Sequence, residues 1–278
     1  MSAKRLAEFE NTLSELHHES EPLVWASALD NLGHHFITVG YDPADIPMLE
    51  ESVAVFEATI EDADEKATPQ GWAIAQNHLA AALHTLGMRE KNGIQLLEDA
   101  VEAYKCVLRV WTRQTMEDYW ATTFNNLGTV LQILGEMKKD QRFLQMSIAA
   151  FNNALRAQKR EKKPKDWAIT QNNLGVSLQV LGKSQQNPDV LLESLVCYQG
   201  ALEETPQEKN PVGWVMILAN LATTQRLLAE MKKDADIAKK ALNNFDLLVE
   251  FLTDIEEKKY LELTQEQQAN AQTVLAGI

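Results

Sequence analysis

The sequence predicts an all-α protein built as an array of stacked helix pairs, and three observations carry the prediction. The uncharged stretch WAITQNNLGVSLQVLG, Trp167 to Gly182, has copies beginning at Trp25, Trp72, Trp120 and Trp214. Consecutive Trp positions differ by 47, 48, 47 and 47 residues, and self-similarity at such a period marks a stacked repeat protein. Second, each copy is followed by a small residue and an aromatic four positions on: Ser52 and Phe56, Ala100 and Tyr104, Ser147 and Phe151, Ser194 and Tyr198, Ala241 and Phe245. Residues at i and i+4 share a helix face, so the small one admits a neighbouring helix and the ring fills the space beside it. Third, proline stands three residues before the Trp at Pro22, Pro69, Pro164 and Pro211, with Glu117 in the remaining copy. Proline suits the first helical turn, where its missing N–H costs nothing.

The elements follow in order. Residues 1–21 read as a B-type helix, with Leu6, Phe9, Leu13 and Leu16 on one face, and FENTL at 9–13 echoes FEATI at 56–60. Five repeats then span 22–68, 69–116, 117–163, 164–210 and 211–257. Each opens with a helix A, and Thr68 and Asn210 are well suited to cap it. Helix A is expected to end near Gly40, Gly87, Gly135, Gly182 and Ala229, glycine taking the left-handed conformation that closes a helix. A polar connector such as KSQQNPD at 183–189 leads to helix B, the last running from about Asp234 to Ile255. Residues 258–278 read as a lone A-type capping helix. There Leu261 replaces the Trp and Gln268 the buried Leu, as expected where one face meets water instead of a neighbour.

Composition narrows the class. Cys106 and Cys197 fall in different repeats, too scattered for a disulfide framework or zinc cluster, and read as reduced thiols. The N-terminal MSAKRLAEFENTL lacks the apolar core of a signal peptide, and no run approaches the ~20 apolar residues of a membrane span. A cytoplasmic protein is expected. The net charge of −14 is uneven. Residues 1–71 hold 3 Lys/Arg against 15 Asp/Glu, whereas 138–165 hold 9 basic residues against 2 acidic. An acidic chain lacks the cations that phosphate contacts need, and the basic run RAQKREKKPKDW from Arg156 has no interleaved aromatics. Nucleic acid is therefore not the expected partner.

The column pattern resembles the tetratricopeptide repeat. Its carriers are Trp–x6–Leu-Gly, then small–x3–aromatic on a second helix, then Pro before the next unit. The Leu-Gly pairs are Leu32-Gly33, Leu127-Gly128 and Leu174-Gly175, with Leu79-Ala80 and Leu221-Ala222 as weaker copies. The period of ~47 against the family's 34 residues makes it most similar to long-helix variants with a QNNLG signature, such as those of kinesin light chains and bacterial multi-repeat proteins. The resemblance implies a right-handed solenoid with the A helices lining a concave groove. It also implies that the residue before Leu-Gly projects into that groove, here Asn31, His78, Asn126, Asn173 and Asn220. Amide chemistry fits the role independently, because Asn offers a donor and an acceptor to a peptide backbone. The preceding column adds Asp30, Asn77, Asn125 and Asn172, and Thr129, Gln132, Gln179 and Arg226 are expected to share the groove. Adjacent residues turn by about 100°, so one Asn column can bind while the other ties helices together.

The expected function is therefore a non-catalytic scaffold holding a peptide or helix of a protein partner. One alternative is self-assembly, in which the acidic N-terminal end meets the basic 138–165 region of another copy. A second is a small-ligand or metal sensor at the end that bears all six histidines: His17, His18, His34, His35, His78 and His84. There Asp30 and His34 share a helix face, but there is no HExxH pair. No phosphate-cradling loop, nucleophile elbow or placed carboxylate pair is present, so no catalytic residue, cofactor or metal is expected.

Overall fold

A computed structural model describes residues 46–63 and 65–278. The predicted helix at 1–21 and the first helix A, with Trp25, Asp30, Asn31 and His34, lie outside the described residues. Among the described residues there are ten helices and no strands. The chain divides into two compact units, Met1–Lys138 and Lys139–Ile278.

In the first unit the helices are α1 (Ile46–Asp62), α2 (Pro69–Gly87), α3 (Ile94–Val110) and α4 (Glu117–Lys138). In the second they are α5 (Gln141–Ala157), α6 (Pro164–Gln185), α7 (Pro188–Glu203), α8 (Pro211–Lys232), α9 (Ala235–Asp254) and α10 (Lys258–Gly277). Within each unit every helix packs on the next in sequence. The A-type helices also touch each other, α2 with α4, α6 with α8, and α8 with α10.

The core follows the two columns. Phe56, Tyr104, Phe151, Tyr198 and Phe245 are each at most 1% exposed, and the small residues before them are all 0% exposed. Leu79, Leu127, Leu174 and Leu221 are buried with them. In the second unit one apolar cluster runs from Ala168 through Tyr198 and Phe245 to Ala271. Ala271 is the buried residue of α10, so that helix covers its neighbours with a narrow face. At the helix A starts, the Trp72, Trp120, Trp167 and Trp214 amides donate to Thr68, Met116, Lys163 and Asn210 carbonyls at 2.9–3.0 Å. The Asn210 side chain also caps the Gly213 amide at 3.0 Å.

The ends of helix A differ from expectation. Only α2 stops at its glycine, and α4, α6 and α8 run three residues past Gly135, Gly182 and Ala229. No described glycine has positive φ. The left-handed positions after these helices are Lys139, Gln186 and Lys233, each with φ 52°. Each is followed by an unforeseen cap, Asp140, Asn187 or Asp234, whose side chain accepts from an amide two residues on. The Asn187 and Asp234 amides turn back to the Gly182 and Ala229 carbonyls at 2.9 and 3.1 Å, which satisfies the orphan carbonyls of a helix end. The polar connector thus shrinks to two residues.

The glycines are retained for volume. A Cβ on Gly182 would lie 2.9 Å from Leu191 Cδ2, and one on Gly87 would lie 2.9 Å from Leu97 Cγ. The next pair carries Ala229 and Ala238 instead, larger on one helix and smaller on the other. The extra residue of the 48-residue step falls between Gly87 and Ala100. There Gly93 is forced, because a Cβ on it would sit 1.9 Å from the Gly87 carbonyl oxygen.

Candidate partner-binding face

Each A-type helix leaves one stripe unburied. It contains Thr122, Asn125, Thr129, Gln132 and Glu136 on α4, and Ile169, Asn172, Val176, Gln179 and Lys183 on α6. On α8 it contains Val212, Met216, Ala219, Thr223, Arg226 and Glu230. Steps of three and four place each set on one helix face. The residues between them, such as Leu127, Val130, Leu131 and Leu134 on α4, are buried.

This geometry separates the two Asn columns. Asn125 and Asn172 lie on the unburied stripe and are half-buried there, as is Asn77 on α2. The column before Leu-Gly turns toward neighbouring helices. His78, expected in the groove, is 3% exposed and stacks on Phe56 of α1 with ring centroids 5.5 Å apart. The enclosure follows from α1 packing over it, so its ring is core. Asn126 stands in the same relation to α3, where its amide hydrogen-bonds to the buried Tyr104 phenol. That bond opposes burial, which drives the phenol pKa well above its usual value.

In the second unit Asn220 Nδ2 donates to Asn172 Oδ1 at 3.1 Å, tying α8 to α6. Asn172 Nδ2 in turn faces Asn173 Oδ1 at 3.3 Å, and Asn125 faces Asn126 at 3.5 Å. Asn173 and Asn220 are half-buried, so the two columns meet along the seam between A-type helices. Asn31 lies outside the described residues.

The other expected groove residues are partly engaged within the fold. Thr129 Oγ1 donates to the Asn125 carbonyl at 3.1 Å, the usual back-bond of a helical threonine. Gln132 donates to Glu136 one turn on. Gln179 Oε1 accepts from the Tyr198 hydroxyl at 2.9 Å, joining α6 to α7. Its equivalent on α8 is Arg226, opposite a phenylalanine that has no hydroxyl to give. The Arg226 side chain is 16% exposed, lies 3.6 Å from Glu230, and has a buried Nε without a hydrogen-bond partner. Reading the sequence missed Ile169 and Met216, which flank the Asn172–Asn220 bond one turn earlier and are each 56% exposed. Their 47-residue spacing was the available signal, hidden among core residues with the same period.

Elsewhere the basic region is largely spoken for. Arg160 pairs with Glu203 and Glu204 at 2.7 Å and covers the Trp167 ring at 4.9 Å. Arg142 pairs with Asp140 at 2.7 Å, and Lys138 pairs with Glu98. Burial lowers the His84 pKa to about 4 and raises that of Cys197 to about 12, and it raises that of Cys106 as well. Each shift favours the neutral form. Among the described residues no three His, Cys, Asp or Glu side chains gather to hold a metal ion, and no helix is long and apolar enough to cross a membrane.

Compared with protein-family models and with curated proteins, the chain matches none of them.

Proposed function

We propose that this chain is a non-catalytic, tetratricopeptide-like scaffold, a right-handed solenoid whose A-type helices present their unburied stripe to a segment of a partner protein. The observation that carries the reading is the composition of that stripe. Between its charged ends it is built from Asn125, Thr129 and Gln132 on α4, and from Asn172, Val176 and Gln179 on α6, all half-buried. Ordinary helix surface is rich in charge. A neutral amide-bearing face instead suits backbone groups that need both a donor and an acceptor. Within it Asn125 and Asn172 are the contact residues, while Asn126, Asn173 and Asn220 hold the helices in register behind them.

The self-assembly alternative is weaker, because Lys138, Arg142 and Arg160 of the basic region already pair with acids of their own chain. The test is affinity capture from the native cell. Wild type is compared with Asn125→Ala/Asn172→Ala and with Val196→Ser, which lies on an exposed B-type face, each checked for folding by circular dichroism. Loss of the partner in the Asn double variant alone supports the reading. A partner kept by that variant and lost by Val196→Ser refutes it.

A further inference from the structure

The unburied face of the second unit carries an apolar row in register with the repeat. Ile169 on α6, Met216 on α8 and Leu263 on α10 stand 47 residues apart and are 56%, 56% and 53% exposed. Val212 and Tyr260, one turn before Met216 and Leu263, are 70% and 55% exposed. Because α8 touches both α6 and α10, the three positions follow one another across packed helices. Single exposed apolar residues are ordinary, whereas a contiguous set marks an interaction surface. The row is flanked by charge. Lys165 and Lys259, four residues before Ile169 and Leu263, are both exposed.

We propose that this row docks an acidic amphipathic helix of a partner protein, laid across α6, α8 and α10. The inference rests on the reading of the A-type face as a partner surface and names the partner's chemistry. Spacing selects a helix. Packed helices lie about 8–10 Å apart, and one heptad advances about 10.5 Å along a helix axis. A helix with an apolar residue at every seventh position therefore meets each A-type helix in turn. An extended strand covers the same distance in about three residues, and its side chains alternate in direction. Successive contacts would then point away from the row. Charge selects the sign. Carboxylates one turn from the outer apolar residues of the docked helix meet Lys165 and Lys259, while the neutral Val212 position between them takes a further apolar side chain.

The experiment uses the full chain and a fluorescein-labelled helical peptide of about three heptads, with Leu at heptad spacing and Glu one turn away. Binding is followed by fluorescence anisotropy. The expected result is binding that weakens at least ~10-fold in Ile169→Ser/Met216→Ser/Leu263→Ser and severalfold in Lys165→Glu/Lys259→Glu. Equal binding by the triple variant, by a peptide with Lys in place of Glu, or by a proline-interrupted peptide overturns the proposal. So does a wild-type dimer in sedimentation that Met216→Ser dissociates, since the row would then belong to a second copy. Native-cell capture separates the two readings. A partner lost with Asn125→Ala/Asn172→Ala but kept by the triple variant sinks this inference and leaves the scaffold reading standing. A partner kept by both sinks both.

Discussion

Replacing Gly175 by alanine tests whether the helix A glycines are there for volume. At an ordinary helical site the change stabilises by about 1 kcal/mol, through helix propensity. Here the new Cβ would lie 2.7 Å from Tyr198 Cε1 and 2.9 Å from Cδ1. The ring cannot swing aside, because it is 0% exposed and its hydroxyl is bonded to Gln179 at 2.9 Å. Forcing a methyl into such a site costs about 1–3 kcal/mol. Equivalent positions carry Ala80 and Ala222, so the architecture accepts a methyl once helices are spaced for it. That places the cost toward the middle of the range and the net destabilisation near 1 kcal/mol. In a unit of this size the expected fall in Tm is about 3 °C. Thermal and urea unfolding by circular dichroism read it. Gly175→Ala combined with Tyr198→Leu should destabilise less than the two single changes added together, because the clash is gone. A Gly175→Ala variant more stable than wild type would refute the packing argument and restore a purely conformational role.

Two further outcomes follow from the same structure. Asp234 accepts from the Asp236 and Ile237 amides at 2.9 and 3.0 Å, so Asp234→Ala should cost about 1 kcal/mol in urea unfolding, and Asp234→Asn much less. His84 has a folded pKa of about 4 against 6.5 for the free side chain. Between these values the unfolded chain takes up a proton that the folded chain refuses. Its contribution to stability is whole above pH 6.5 and falls as the pH drops toward 4, by at most about 3 kcal/mol. His84→Gln, the residue at the equivalent Gln132 and Gln179, should flatten that part of the stability-versus-pH curve. An unchanged slope would show that His84 titrates normally.

The period, the helix pairs and the core columns were legible before any coordinates. They rest on local demands: a Ser or Ala and a ring four residues apart can serve only one face of one helix, and the spacing repeats too often to be accidental. Several things were not legible. Glycine can stand in a sequence for a left-handed turn or for missing volume, and only the position of Leu191 and Tyr198 shows that Gly182 and Gly175 are of the second kind. The caps at Asp140, Asn187 and Asp234 were hidden because helix A was ended three residues too soon. Adjacent asparagines were ambiguous for a geometric reason. At about 100° per residue, Asn125 and Asn126 straddle the border between a helix's packed side and its open side. Where that border runs depends on the neighbouring helices. Tertiary packing alone sends His78 and Asn126 toward α1 and α3, leaves Asn125 and Asn172 on the unburied stripe, and lines up Ile169, Met216 and Leu263.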